Sequence, residues 1–121
     1  MSINCNSKFT TSYNKGFRMT FENWFAISVQ LGVGNYCEKK DSGQWDESTK
    51  YAEWDSNSAE IAVFDKNGGY ITITNYPDVV AGWLSADTVA KCITIIQSAT
   101  TKEEIETKIR ALNLWKNINK L

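Results

Sequence analysis

Residues 15–37 read KGFRMTFENWFAISVQLGVGNYC, and the fold turns on how residues 21–25 are read. Before them, Phe17, Met19 and Phe21 alternate with Arg18, Thr20 and Glu22. After them, Phe25, Ile27, Val29 and Leu31 alternate with Ala26, Ser28 and Gln30. Period two on both arms is the pattern of strands that bury one face, so the stretch predicts a β-hairpin. Trp24 is the difficulty, because it stands where a tight reversal most wants glycine. Asn23 can take a positive φ, whereas Trp24 cannot do so cheaply. The expectation is therefore a turn wider than two residues, with Trp24 displayed at its tip for an interface or a ligand.

Outward from the hairpin, Ala59–Phe64 alternates again, with Ala59, Ile61 and Val63 inward. Asp65-Lys66-Asn67-Gly68-Gly69 is a strong turn signal, since Asn-Gly supplies positive φ at low cost. Tyr70–Asn75 then reads as a fourth strand, closed by Pro77. Ser85 can cap a first helix carrying Val89, Cys92, Ile93 and Ile96 on one stripe. Thr101-Lys102-Glu103-Glu104 is a capping box for a second, with Ile105, Ile109 and Leu112 on its stripe. The order ββββαα predicts an α+β fold: a four-stranded antiparallel sheet with two C-terminal helices packed on one face. Residues 1–14 read as a polar extension, and 15–121 as a single domain.

Composition limits the chemistry. The 13 basic and 14 acidic residues balance to a net charge of −1, and Lys39-Lys40 is the sole basic pair, so polymeric nucleic acid is not the expected partner. Small anions stay open, because they need one or two well-placed cations rather than a field. No run of apolar residues reaches membrane-spanning length, and the N-terminal residues lack the apolar stretch of a secretory signal. Three cysteines with no paired spacing suggest free thiols, hence a cytoplasmic location. The chain contains no histidine, the usual general base and metal ligand, so no enzyme, cofactor or metal is expected.

The candidate binding residues follow from type and place. Arg18 and Arg110 are the scarce arginines, each offering a planar fork to phosphate. Gly32–Cys37 follows a strand, so its amides could cradle an anion, with Asn35 and Tyr36 offering an amide and a stacking ring. Phe17 and Met19 flank Arg18, and Trp24 completes the set. Between Cys37 and Asn57 lie Trp45, Tyr51 and Trp54, large aromatics able to pin a polar loop or line a surface. Trp24 and the apolar tail at Leu114, Trp115 and Ile118 suggest a homo-oligomer.

The strings Asn14-Lys15-Gly16-Phe17, Met19-Thr20-Phe21-Glu22-Asn23, Asn35-Tyr36-Cys37 and Ser58-Ala59-Glu60-Ile61-Ala62 resemble a family of small tailed-phage and prophage proteins. That family opens N-K-G-F-x-M-T-F-E-N-G, so Trp24 replaces its glycine. Among proteins of described function, the chain looks like the Thoeris anti-defence proteins of the cyclic-nucleotide sponge type. This likeness implies four strands and two helices, oligomers, and sequestration of cyclic ADP-ribose isomers made by bacterial TIR-domain immune proteins. The expected partner is then a small anionic nucleotide. A protein inhibitor of a defence effector, of the anti-CRISPR kind, and a structural phage module are the alternatives.

Overall fold

The computed structural model describes residues 7–11, 15–42, 54–75 and 79–114. Six strands and two helices follow one another: β1 (Lys8–Thr11), β2 (Gly16–Thr20), β3 (Ala26–Gln30), β4 (Ala59–Phe64), β5 (Tyr70–Ile71), β6 (Val80–Leu84), α1 (Ala86–Ser98) and α2 (Lys102–Arg110). The α+β class, the antiparallel sheet and the two C-terminal helices agree with the sequence; the strand count is six rather than four.

The sheet runs β1-β2-β3-β4, and the far edge of β4 is shared by two short strands. β5 pairs with Val63 and Phe64, and β6 pairs with Ala59, Ile61 and Ala62. The predicted fourth strand Tyr70–Asn75 is thus cut short after Ile71. Thr74 turns into the core, and the Asn75 amide donates to the Arg110 carbonyl at 3.2 Å and to Asn113 Oδ1 at 2.9 Å. These bonds bind the segment to the end of α2 instead of to β4. Pro77 lies outside the described residues. β6 carries no clean alternation because Gly82 and Trp83 interrupt it. A Cβ at Gly82 would stand 2.4 Å from Tyr36 Cβ, so the close approach of the Tyr36 loop requires glycine. Trp83, at φ 58, donates its amide to the Tyr36 carbonyl at 2.8 Å. The region expected as a polar lead contains the edge strand β1, in unbroken register with β2 from Lys8↔Thr20 to Thr11↔Phe17.

Register assigns every side chain to a face. Met19, Ile27, Val63 and Ile71 align on one face, with Phe17, Val29, Ile61 and Ala81 in the next row. Both helices cover this face: Val89, Cys92 and Ile96 of α1 and Ile105 and Ile109 of α2 close the core with Leu114. Leu114 is therefore core, not surplus tail; Trp115, Ile118 and Leu121 lie outside the described residues. The opposite face carries Lys8, Thr20, Ala26, Phe64 and Tyr70 in one row and Thr10, Arg18, Ser28, Ala62 and Val80 in the next. No helix among the described residues lies over it or is long and apolar enough to cross a membrane.

The helices begin as their sequences dictate. Ser85 accepts the Thr88 amide and Thr101 the Glu104 amide. Glu104 reaches back to the Thr100 amide, one residue before the cap, and this bond holds its carboxyl below the ordinary range. The end of α1 is less conventional. Its last turn has no basic residue; Ser98 Oγ donates to the Thr94 carbonyl at 2.8 Å and the Ala99 amide to Ile96 at 3.3 Å, and the remaining capacity at this end takes donors from elsewhere. Asn23 supplies them from the β2–β3 turn. Its Nδ2 donates to the Ile96 and Ala99 carbonyls at 2.9 Å and to Gln97 at 3.3 Å, while Oδ1 accepts the Phe25 amide at 3.1 Å. Asn23→Ala removes these bonds together and is expected to cost about 1–3 kcal/mol. Urea unfolding should show this loss, with Asn23→Asp at least as destabilised because a carboxylate would face the same carbonyls.

Candidate functional site

The two hairpin turns bordering β3 and β4 have the same design. In the first, the Phe21 amide donates to the Phe25 carbonyl at 2.9 Å and the Trp24 amide to the Phe21 carbonyl at 2.8 Å. In the second, Asp65 donates to Gly69 at 2.7 Å and Gly68 to Asp65 at 3.0 Å. Each is a three-residue loop whose last residue takes positive φ, the place usually given to glycine. Gly68 stands there at φ 85, and Trp24 stands at the equivalent place at φ 72. The turn is wider than two residues, as expected, but the expectation that Trp24 avoids positive φ fails. The loop type puts the left-handed position on the tryptophan, where a non-glycine residue costs roughly 1–2 kcal/mol. Its indole is displayed, 57% exposed.

Thr20↔Ala26, Ala26↔Phe64 and Phe64↔Tyr70 are neighbours, so both turns rise from the same end of the open face. Between them and β1 lies a depression of about 400 Å³ lined by Lys8, Thr10, Arg18, Thr20, Trp24, Ala26, Asp65, Lys66 and Gly68. Its size suits a small organic ligand. Lys8 and Arg18 bring two cations, and no carboxylate pairs with them among the described residues; Lys66 borders the depression, but its ammonium stands 5.4 Å from the centre of the Phe25 ring, which belongs to the core. Arg18 lies with its guanidinium carbon 4.2 Å from the centre of the Phe64 ring, and Phe64 in turn meets Tyr70 at 4.9 Å between centroids. The stacked ring orients the guanidinium without neutralising it.

Asp65 brings the one carboxylate. Its Oδ1 accepts the amides of Asn67 and Gly69, both at 2.9 Å. The Gly69 bond, then the Asn67 bond, hold its carboxyl below the ordinary value of 3.8. The charge serves the turn that carries Lys66.

The sequence-derived residues separate in space. Arg18 and Trp24 meet in the depression. Phe17 and Met19 project to the opposite face of β2, where Phe17 lines an apolar groove against Val89 and Ile93 of α1. Arg110 does not line the depression: its Nε donates to the Thr72 carbonyl at 3.4 Å and its NH2 group stands 3.8 Å from Glu106. The anion cradle expected at Gly32–Cys37 is not formed. The amides of Gly32, Gly34, Asn35, Tyr36 and Cys37 donate to Asn35 Oδ1, Lys40, Gly32, Glu60 and Asn35 respectively. Asn35 is thereby a loop-closing residue, and Tyr36 exposes its ring outside the depression. Trp54 pins the following loop by donating its indole N–H to the Leu31 carbonyl at 2.8 Å; Trp45 and Tyr51 lie outside the described residues. Cys37 and Cys92 are buried free thiols, and burial pushes Cys92 up to about 12, so it is inert as a nucleophile. Lys8 joins Arg18 and Trp24 without a signal in the sequence, because it lies in a polar stretch with no alternation.

Comparison with models of protein families, with curated proteins and with solved structures gives no match to this chain.

An aspartate titration by NMR checks the turn. Asp65 should protonate below the ordinary aspartate range in the folded protein. Its stabilising contribution is present above the unfolded-chain pKa and lost as pH falls through the lowered folded value. Asp65→Ala should abolish that contribution and weaken amide protection at Asn67 and Gly69.

Proposed function

We propose that this chain is a non-catalytic binding protein that takes up a small anionic nucleotide on the open face of its sheet. The observation that carries this reading is the meeting of Lys8 and Arg18 with the displayed indole of Trp24 around one depression. Each part has a chemical counterpart in such a ligand. Phosphate oxygens take the Arg18 fork and the Lys8 ammonium, a base stacks on the indole, and the Thr10 and Thr20 hydroxyls serve the sugar or phosphate edges. The ligand leaves unchanged, since the chain has no histidine to act as a base near neutral pH.

The biological setting of the proposal rests on the likeness of the NKGFRMTFEN and GNYC strings to phage proteins. In that setting the protein works in the cytoplasm of the infected cell. It sequesters a cyclic nucleotide immune signal, a cyclic ADP-ribose isomer or a relative, and so blocks anti-phage defence.

Native mass spectrometry with cyclic nucleotides and ADP-ribose isomers identifies the ligand, and calorimetry then tests the site. Losing a charge-assisted bond worth roughly 1.5–3 kcal/mol should weaken binding by about ten- to a hundredfold in Arg18→Ala. Arg18→Lys should recover part of it, and Arg110→Ala should bind like the unmodified protein. Undiminished affinity in Arg18→Ala, or a ligand returned hydrolysed with turnover, would contradict the proposal.

A further inference from the structure

Asn67-Gly68 is the one Asn-Gly pair in the chain, and it stands at the tip of the turn between β4 and β5. Both residues are exposed, and a Cβ built on Gly68 meets nothing within 4 Å, so the space around the pair is open. The Asn67 carboxamide forms no hydrogen bond among the described residues. Asn23, Asn35 and Asn75 differ on both counts. Their side chains are spent within the fold, and the residues that follow them are Trp24, Tyr36 and Tyr76. A bulky residue shields its own amide nitrogen, whereas glycine leaves that nitrogen bare.

We propose that Asn67 is a site of spontaneous deamidation and that Asp65 sets its rate. The Gly68 amide nitrogen, having given its proton to solvent, attacks Cγ of Asn67. The new N–C bond closes a succinimide ring, and the bond from Cγ to the side-chain nitrogen breaks, releasing ammonia. Water then opens the ring. Addition at Cγ leaves aspartate; addition at the main-chain carbonyl leaves isoaspartate, with an extra methylene in the backbone. No oxidant or reductant takes part, and this chemistry is what makes asparagine a thermolabile residue.

The fold holds the reaction back. The attacking nitrogen donates to the Asp65 carbonyl at 3.0 Å, and Asp65 Oδ1 fixes the amides on either side of it, those of Asn67 and Gly69, at 2.9 Å. The Gly68 nitrogen reaches Cγ only when this turn opens locally, so each Asp65 bond lost raises the open population. The product places a second carboxylate near Asp65, in the turn that borders the depression. One consequence rests on the ligand reading given above: the added charge would weaken uptake of an anion as the protein ages. The modification itself depends on no ligand, so failure of either idea leaves the other standing.

Peptide mapping of the full chain, aged in warm, mildly alkaline buffer, tests the site. Asn67 should convert ahead of Asn23, Asn35, Asn57 and Asn75, giving both aspartate and isoaspartate, the latter read by isoaspartyl methyltransferase labelling. Asn67→Gln should gain no acid in this segment. Asp65→Ala should convert about two- to tenfold faster at residue 67 with no change at Asn57, which separates release of the turn from general unfolding. Earlier conversion at any of those other asparagines, a rate at residue 67 indifferent to Asp65→Ala, or an acceleration shared by Asn57 would overturn the proposal.

Discussion

The side chain of Asn23 joins the two layers of this protein. Sheet and helices pack through apolar contact, which is strong but non-directional, and apolar contact alone does not fix where a helix ends over a strand. Asn23 does so with hydrogen bonds from the β2–β3 turn to the final carbonyls of α1, which its own last turn leaves without a cationic partner. The same side chain accepts the Phe25 amide and so shapes the turn it sits in. The three-residue loop sets its last residue left-handed, as Gly68 does in the second turn, and in the turn that Asn23 ties to the helix that residue is Trp24.

The sheet consequently has unequal faces. One is closed by aliphatic side chains from both helices, and the other, mostly polar, is left uncovered by the helices among the described residues and edged by two turns of the same pattern. The turn at Gly68 shows what the geometry ordinarily uses, and the turn at Trp24 departs from it. Strain at a residue whose large ring is left exposed is of little use to the fold, and strained residues cluster where a ligand or partner is met. Arg18, braced on Phe64, and Lys8 on β1 line the same depression as that ring and bring positive charge to it.

Much of the fold was legible because local signals agreed with one another. Period two around residues 21–25, the Asn-Gly turn, the Ser85 cap and the Thr101 cap each specify structure without long-range information. β6 was not legible, since Gly82 is dictated by a contact with Tyr36, remote in sequence. β1 was hidden by its polarity: an edge strand exposed on both sides has no alternation to show. Of the site, Arg18 and Trp24 could be found as a rare residue and a misplaced one. Arg110, equally rare, is held by Thr72 and Glu106, and Asn35 by Gly32; side-chain type alone does not distinguish a group spent within the fold from one left for a ligand. The placing of Lys8 near Arg18 depends on register across the sheet and could not be read from spacing.

The central claim is that Trp24 is retained at a strained position for the sake of what it contacts. Trp24→Gly tests it with two readings on one variant, thermal unfolding and titration with the nucleotide identified by native mass spectrometry. Glycine relieves roughly 1–2 kcal/mol of left-handed strain and gives back about 0.5–1 kcal/mol in chain entropy, so stability should hold or rise by up to about 1.5 kcal/mol. Loss of the stacking ring should weaken binding by about fivefold to a hundredfold. A Trp24→Gly protein that is clearly less stable yet binds with unchanged affinity would contradict the account, because the indole would then belong to the fold and not to the site.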